Sequence, residues 1–376
     1  MSFLATLRDH PRKLWIRRAL FQIHLWAGVV LSLYLIVISL SGSVLVFEDE
    51  LTGTTLPHGL SAFDANHVAT IPQVVAAFHK QHHDADIDLI TVPTKTVPAF
   101  QLNVHFPGGQ AIHFVADPLT GQSYKQGRTW VQWVHDLHVS LLLNENYGMQ
   151  VNAVGAAVLL LLVLTGVVLW WPGLRAWTRG LRVNFQANWR RINFDLHNAI
   201  GFWTLTLVFW WAFSGVYFGF YRQVAAVVNA VAPLRNMRPP IALAASGSTV
   251  RLPLEQIVGV AQSASLSGRL YSLSNPSLVE PVVYASMDLR GPGNFLYRDI
   301  VQIDASDGRV LSIWHYSYKH GFGDWILWLM QPLHFGTMWG TTIKVIWAAS
   351  GLALALLTIT GLLMYWNRVL RRSLSR

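Results

Sequence analysis

The chain has no cysteine at all. That single absence removes thiolate zinc sites, iron–sulfur clusters, covalently attached c-type haem and disulfides, because each of them needs a sulfur atom. Any metal or cofactor must therefore be held by His, carboxylate, Met or Tyr. Charge is also scarce: 12% of the 376 residues are Asp, Glu, Lys or Arg, against 52% apolar. Such a balance excludes an ordinary soluble enzyme and points to a protein with much of its surface in lipid. No Gly-rich nucleotide-binding fingerprint occurs in the basic segments between the apolar runs, so a built-in NAD or flavin domain is excluded.

What is present begins with four long apolar runs, each close to the roughly 20 helical residues needed to cross a bilayer core of about 30 Å. They are placed at 21–47, 151–171, 199–221 and 343–366. The first is too long for a signal peptide and no A-x-A site follows it before Glu48-Asp49-Glu50, so it is expected to be a retained span. Fourteen of the 28 basic residues lie in three short segments: 1–20 (Arg8, Arg12, Lys13, Arg17, Arg18), 172–198 (Arg175, Arg179, Arg182, Arg190, Arg191) and 367–376 (Arg368, Arg371, Arg372, Arg376). Only Asp9 and Asp195 oppose them. The positive-inside rule makes these segments cytoplasmic, so both termini lie in the cytoplasm and the two long segments, 48–150 and 222–342, lie on the other side. The formal charge of +9 thus resolves into +12 on three short segments and −3 elsewhere. It reports orientation, and no basic patch remains for nucleic acid.

The two halves of the chain resemble each other. RRALFQIHLWAG leading to SGSVLVF matches RRINFDLHNAIG leading to SGVYFGF, so His24 and Gly28 correspond to His197 and Gly201, and Ser41-Gly42 to Ser214-Gly215. Thr165-Gly166 with Trp171 corresponds to Thr360-Gly361 with Trp366, and Leu137-His138 to Leu333-His334. Each half reads as span, outer segment, span in the same orientation, a parallel duplication about an axis along the membrane normal. The expected fold class is a membrane all-α four-helix core from a twofold internal repeat, with two α+β outer domains. In these, IPQVVAAFHKQ and LPLEQIVGVAQSA read as helices. FQLNVHF, AIHFVADPLTGQSY, LVEPVVYASMD and FLYRDIVQIDASDGRVLSIW read as strands. Asp117 to Gly121 and Asp304 to Gly308 are expected turns in preference to metal sites.

An ionisable residue inside a span is costly and marks a functional candidate. His24 and His197 each lie six residues past an Arg, about 9 Å along a helix, at matching depth. Alone, either is explained by a neutral imidazole bonded to a neighbouring helix. As a symmetric pair, two converging imidazoles are what a six-coordinate b-type haem requires. Gly28 and Gly201, one turn on, would let a flat macrocycle approach, though small residues also mark plain helix packing. His138 and His334 form a second pair, within the interfacial, Trp-rich stretches WVQWVHDLH and WILWLMQPLH. His135, one turn before His138, competes for that role, with His315 and His320 as further candidates. His79, His82, His83, His105 and His113 read as residues without a metal role, the first three solvated.

The paired R-R-x-x-x-x-x-H openings, the four spans and the Asp-x-x-x-Gly strand ends resemble the PepSY-associated transmembrane-helix family of bacterial inner-membrane proteins. Within it, they are most similar to ferric-siderophore reductases of the ferrioxamine reductase type. The resemblance implies PepSY-like periplasmic domains, two noncovalent b-type haems, and reduction of siderophore-bound Fe(III) to release Fe(II) during iron uptake. The expected partners are then a ferric siderophore, of hydroxamate type among the options, membrane lipid, and a quinol or reductase as electron donor. Two other readings compete: a non-enzymatic PepSY-type regulatory or binding protein without chromophore, and a siderophore transporter. The second is disfavoured because no span is Gly/Pro-interrupted and none carries a buried carboxylate.

Overall fold

The computed structural model describes residues 15–109, 111–171, 178, 180–236, 250–275, 277, 279–290 and 296–370. Arg8, Asp9, Arg12, Lys13, Arg175, Arg179, Arg371, Arg372 and Arg376, used above for orientation, lie outside the described residues. The chain divides into a helical unit (Met1–Phe47, Trp133–Val228, Leu329–Arg376) and a sheet unit (Glu48–Gln132, Asn229–Trp328).

In the helical unit four helices are long and apolar enough to cross a membrane. They are α1 (Trp15–Leu45), α5 (Glu145–Trp170), α6 (Trp189–Gly219) and α10 (Gly340–Tyr365), the last continued by a π-helical turn, Trp366–Leu370. Each is apolar nearly all round, and Val30, Leu33 and Trp203 stay at least 70% exposed, as lipid-facing side chains do. The helices run past the apolar limits expected above because polar ends are stabilised individually. Asn188 caps α6 by accepting a hydrogen bond from the Arg191 backbone N–H. Arg17 donates to the carbonyls of Val168, Leu169 and Trp171, completing the C-terminal end of α5. Packing runs as a ring, α1 on α5, α5 on α6, α6 on α10 and α10 on α1, so α1 faces α6 across the diagonal. Leu35, Leu159, Leu162, Val208, Ala212 and Leu354 fill the centre. Polar clasps tie neighbours together: Tyr34 Oη donates to Asn152 Oδ1 (2.7 Å), and Asn193 Nδ2 to the Thr360 carbonyl (2.9 Å). Two shorter helices of this unit's sequence context, α4 (Trp130–Ser140) and α9 (Phe322–Phe335), precede α5 and α10.

The sheet unit is one antiparallel sheet of eight strands. In chain order α2 (Glu48–Thr54) and α3 (Ile71–Gln81) precede β1 (Asp86–Thr91), β2 (Phe100–His105), β3 (Ile112–Ala116) and β4 (Ser123–Lys125). After the spans, α7 (Tyr221–Val231), most of which belongs to the helical unit, and α8 (Leu254–Ala264) precede β5 (Arg269–Ser274), β6 (Val282–Asp288), β7 (Arg298–Asp304) and β8 (Val310–His315). The strand order is β4-β3-β2-β1-β5-β6-β7-β8. Two four-strand meanders are thus joined edge to edge where β1 pairs with β5, Ile90 opposite Leu273. The two outer segments, expected as separate domains, share a single core in which Val74 and Phe78 of α3 and Ile257 and Ala261 of α8 cover Ile87, Ile90, Leu102, Leu273, Met287 and Ile303. Joining the meanders hides an edge that each would otherwise expose.

Both Asp turns are structural. Asp117 Oδ1 accepts from the N–H groups of Leu119 and Thr120, its Oδ2 accepts from that of Ser61, and Gly121 takes φ +71°. Burial alone would raise this carboxyl, but those bonds outweigh it and hold the pKa at about 2. Asp304 repeats the arrangement, with Oδ1 accepting from the Ser306 N–H and Gly308 at φ +76°.

Candidate functional site

The four candidate histidines all fall in the helical unit, and each ring is held in the same way. His24 on α1 places Nδ1 2.9 Å from the Thr165 hydroxyl of α5. His197 on α6 places Nδ1 3.1 Å from the Thr360 hydroxyl and 3.0 Å from the Leu357 carbonyl of α10. His138 on α4 places Nδ1 3.1 Å from both the Ser41 hydroxyl and the Ile38 carbonyl of α1. His334 on α9 places Nδ1 2.7 Å from the Ser214 hydroxyl of α6.

A carbonyl oxygen only accepts, so in His197 and His138 the Nδ1 is the protonated nitrogen and the Nε2 lone pair is directed elsewhere. This is how metal-ligating imidazoles are oriented, by a hydrogen bond to the ring nitrogen that does not bind metal. Glycine beside three of the four hydroxyls makes the approach possible. A Cβ on Gly42 would stand 2.8 Å from His138 Cε1, and Cβ atoms on Gly166 and Gly361 would stand 3.4 and 3.2 Å from Cε1 of His24 and His197. At the fourth seat the glycine serves helix packing instead, since a Cβ on Gly215 would stand 2.8 Å from the Ala156 Cβ.

The Ser-Gly and Thr-Gly pairs stood out in the sequence only as markers of repetition. Their role is legible once helices are paired, because each belongs to a different helix from the histidine it seats. At Gly28 and Gly201 close helix packing is not what requires glycine. A Cβ on either would meet only Leu162 or Leu357 at an ordinary 3.9 or 3.6 Å.

One pair of rings meets directly. His138 and His334 have centroids 6.2 Å apart with planes at 61°. Two imidazole–metal bonds of about 2 Å each, with about 1.1 Å more from each nitrogen to its ring centre, span about 6.2 Å. The spacing therefore fits one metal ion between them. His197 lies within electrostatic reach of His24 across the bundle. The two pairs are separated along α1, from His24 to the Ser41 seat, by 17 residues or about 25 Å.

His135 is not part of the second pair. Its Nδ1 lies 3.3 Å from Asp136 Oδ1 and its side chain is 43% exposed. His315 and His320 belong to the sheet unit, where His315 Nδ1 bonds Asp299 Oδ1 at 2.8 Å and His320 packs edge-on to Tyr318. His82, expected to be solvated, instead packs among Phe78, Phe106 and Phe114. Among the described residues no group of three or more His, Asp or Glu converges as a metal cage. Paired imidazoles are complete only for a metal whose other ligands arrive with it, as a porphyrin's four nitrogens do. Near the His334 seat, Trp210 Nε1, one turn before Ser214, and Thr337 Oγ1, three residues after His334, are buried polar atoms without a protein partner among the described residues. Both would suit a polar ligand edge. At His138 and His334 the donor set, its spacing and these atoms fit haem; at His24 and His197 the donor set does.

The profile of the family described as PepSY-associated TM region matches residues 21–368, and the chain belongs to that family. It is also similar to an uncharacterized protein, PA4219, of Pseudomonas aeruginosa, at 28% identity over 255 residues. The match covers 62% of this chain and 62% of that relative's length.

Proposed function

We propose that the chain is a di-haem reductase of the bacterial inner membrane, formed by duplication, that passes electrons to a ferric siderophore in the periplasm and releases the iron as Fe(II). The observation that carries this reading is the shared seating of the four imidazoles: every Nδ1 is taken up by a neighbouring helix or its hydroxyl, and the His138 and His334 rings lie 6.2 Å apart. His24 and His197 would hold one b-type haem toward the cytoplasmic face, and His138 and His334 a second toward the periplasmic face. A haem so ligated supplies reversible one-electron transfer.

The protein's own part is positional. Thr165, Thr360, Ser41 and Ser214 fix the ring orientation. The apolar bundle excludes water, and the 17-residue separation sets the two pairs on opposite sides of the span. The substrate Fe(III) gains one electron and becomes Fe(II), which hard oxygen ligands of a hydroxamate hold less tightly. The donor would be a quinol or a separate reductase.

The test uses purified protein in liposomes loaded with a quinol, with a ferric hydroxamate complex and a ferrous-specific chelator outside. Ferrous chelate is expected to form only with protein present, and to cease in His24→Ala. Equal chelate formation in protein-free liposomes and proteoliposomes would overturn the reading.

A further inference from the structure

A second candidate site lies wholly in the sheet unit, apart from the histidine pairs. The Lys319 ammonium stands 3.8 Å from the Trp328 ring centroid and 4.7 Å from that of Trp325, whose indoles meet edge to face at 5.5 Å. The Arg290 guanidinium lies 3.5 Å over Tyr297. Burial, and then the Arg290 charge, hold the Lys319 ammonium below its ordinary pKa.

Among the described residues neither cation has an acidic partner. The acid nearest in sequence, Asp324, is already spent: it accepts from the backbone N–H groups of Arg235, Asn236 and His320. Those bonds outweigh its burial and keep it ionised. A second observation points to a ligand. Trp328 is 6% exposed, and its Nε1–H, beneath the Lys319 ammonium, has no acceptor among the described residues. A buried donor left without an acceptor costs on the order of 1–3 kcal/mol, and an anion can recover it.

Stacking on aromatic rings holds each cation in place without neutralising it. The arrangement is therefore a preformed set of donors, two charged and one neutral, that lacks only an oxyanion. In the first half of the chain the matching indoles, Trp130 and Trp133, are 51% and 46% exposed; in the second half Trp325 is 46% exposed and Trp328 alone is enclosed, at 6%.

We propose that Lys319, Arg290 and the Trp328 indole N–H form a binding site for a phosphate group. That chemistry is available from the headgroup of an anionic phospholipid or from free phosphate. The rich supply of indoles on a helix that leads within a few residues to α10 suits a headgroup.

The experiment takes the full-length protein, delipidated in detergent, and measures by native mass spectrometry the retention of phosphatidylglycerol and of phosphatidylcholine, each with and without inorganic phosphate. Phosphatidylglycerol is expected to bind at least several-fold better than phosphatidylcholine. Lys319→Gln with Arg290→Gln should lower its retention on the order of tenfold or more. Trp328→Phe, which keeps the ring and removes the N–H, should lower it a few-fold with unchanged thermal unfolding. If inorganic phosphate displaces the lipid, the site reads the phosphate group itself; if it does not, the site needs the whole headgroup. Should the double variant fail to fold, salt titration of wild type decides, since retention must fall as ionic strength rises. Retention that is equal for both lipids, insensitive to salt and unaltered in Trp328→Phe would overturn the proposal.

Discussion

His138→Ala is expected to lower bound haem from about two per chain to about one, with the remaining haem spectrally unchanged. The same result is expected for His334→Ala, and the complementary one, loss of the other haem, for His24→Ala and His197→Ala. The physical basis is that each ring is fixed by a separate helix, so emptying one seat leaves the opposite pair intact about 25 Å away. His135→Ala should leave both haems in place, because that imidazole pairs with Asp136 and not with His334. Gly42→Val should mimic His138→Ala, since even its Cβ would stand 2.8 Å from the His138 ring. Pyridine haemochrome quantification with the absorption spectrum measures all of these. Loss of both haems from every single substitution would show that the ligands are paired otherwise.

Asp288→Ala is expected to destabilise the sheet unit by about 3–5 kcal/mol. Asp288 is fully buried on β6 and receives two hydrogen bonds from Arg298 across the strand pair, Nε to Oδ1 at 2.6 Å and Nη2 to Oδ2 at 3.2 Å. The Arg298 side chain is 18% exposed and also lies over Tyr271, at 4.4 Å. Removing the carboxylate strands a guanidinium in a site with little water, which costs more than the pair itself contributes. Arg298→Met with Asp288→Leu should recover much of the loss by replacing the ion pair with packed apolar atoms. Thermal unfolding followed by circular dichroism in the sheet region is the readout. An Asp288→Ala protein as stable as wild type would contradict the buried-pair description.

The four spans were legible because length and apolar composition alone define them, and only their polar ends were misplaced. Helix α3 falls on IPQVVAAFHKQ as read, since Thr70 and Gln73 form a capping box ahead of an amphipathic run. Strands β1 and β5, the seam of the sheet, escaped notice for a specific reason. In β1 the core residues are Ile87 and Ile90, and in β5 Leu273 is in the core with Leu270 half-buried against it, a spacing of three and not two. Register shifts between Ile87 and Leu89 and between Leu270 and Ser272 absorb the extra residue. Bulged strands break the alternation by which strands are recognised, so the edge that unites the two meanders left no period to read. The histidines were legible as candidates through repetition. Their Ser-Gly and Thr-Gly seats were visible as text but not as partners, because the contacts join residues 97 to 163 positions apart.

The most direct measurement is the absorption spectrum of the detergent-purified full-length protein from haem-replete cells, before and after dithionite. Bis-histidine seating at both pairs predicts a Soret band with sharp visible bands on reduction, and about two haems per chain extractable without covalent cleavage. A colourless preparation, or a chromophore that persists unchanged when all four histidines are replaced, would contradict it.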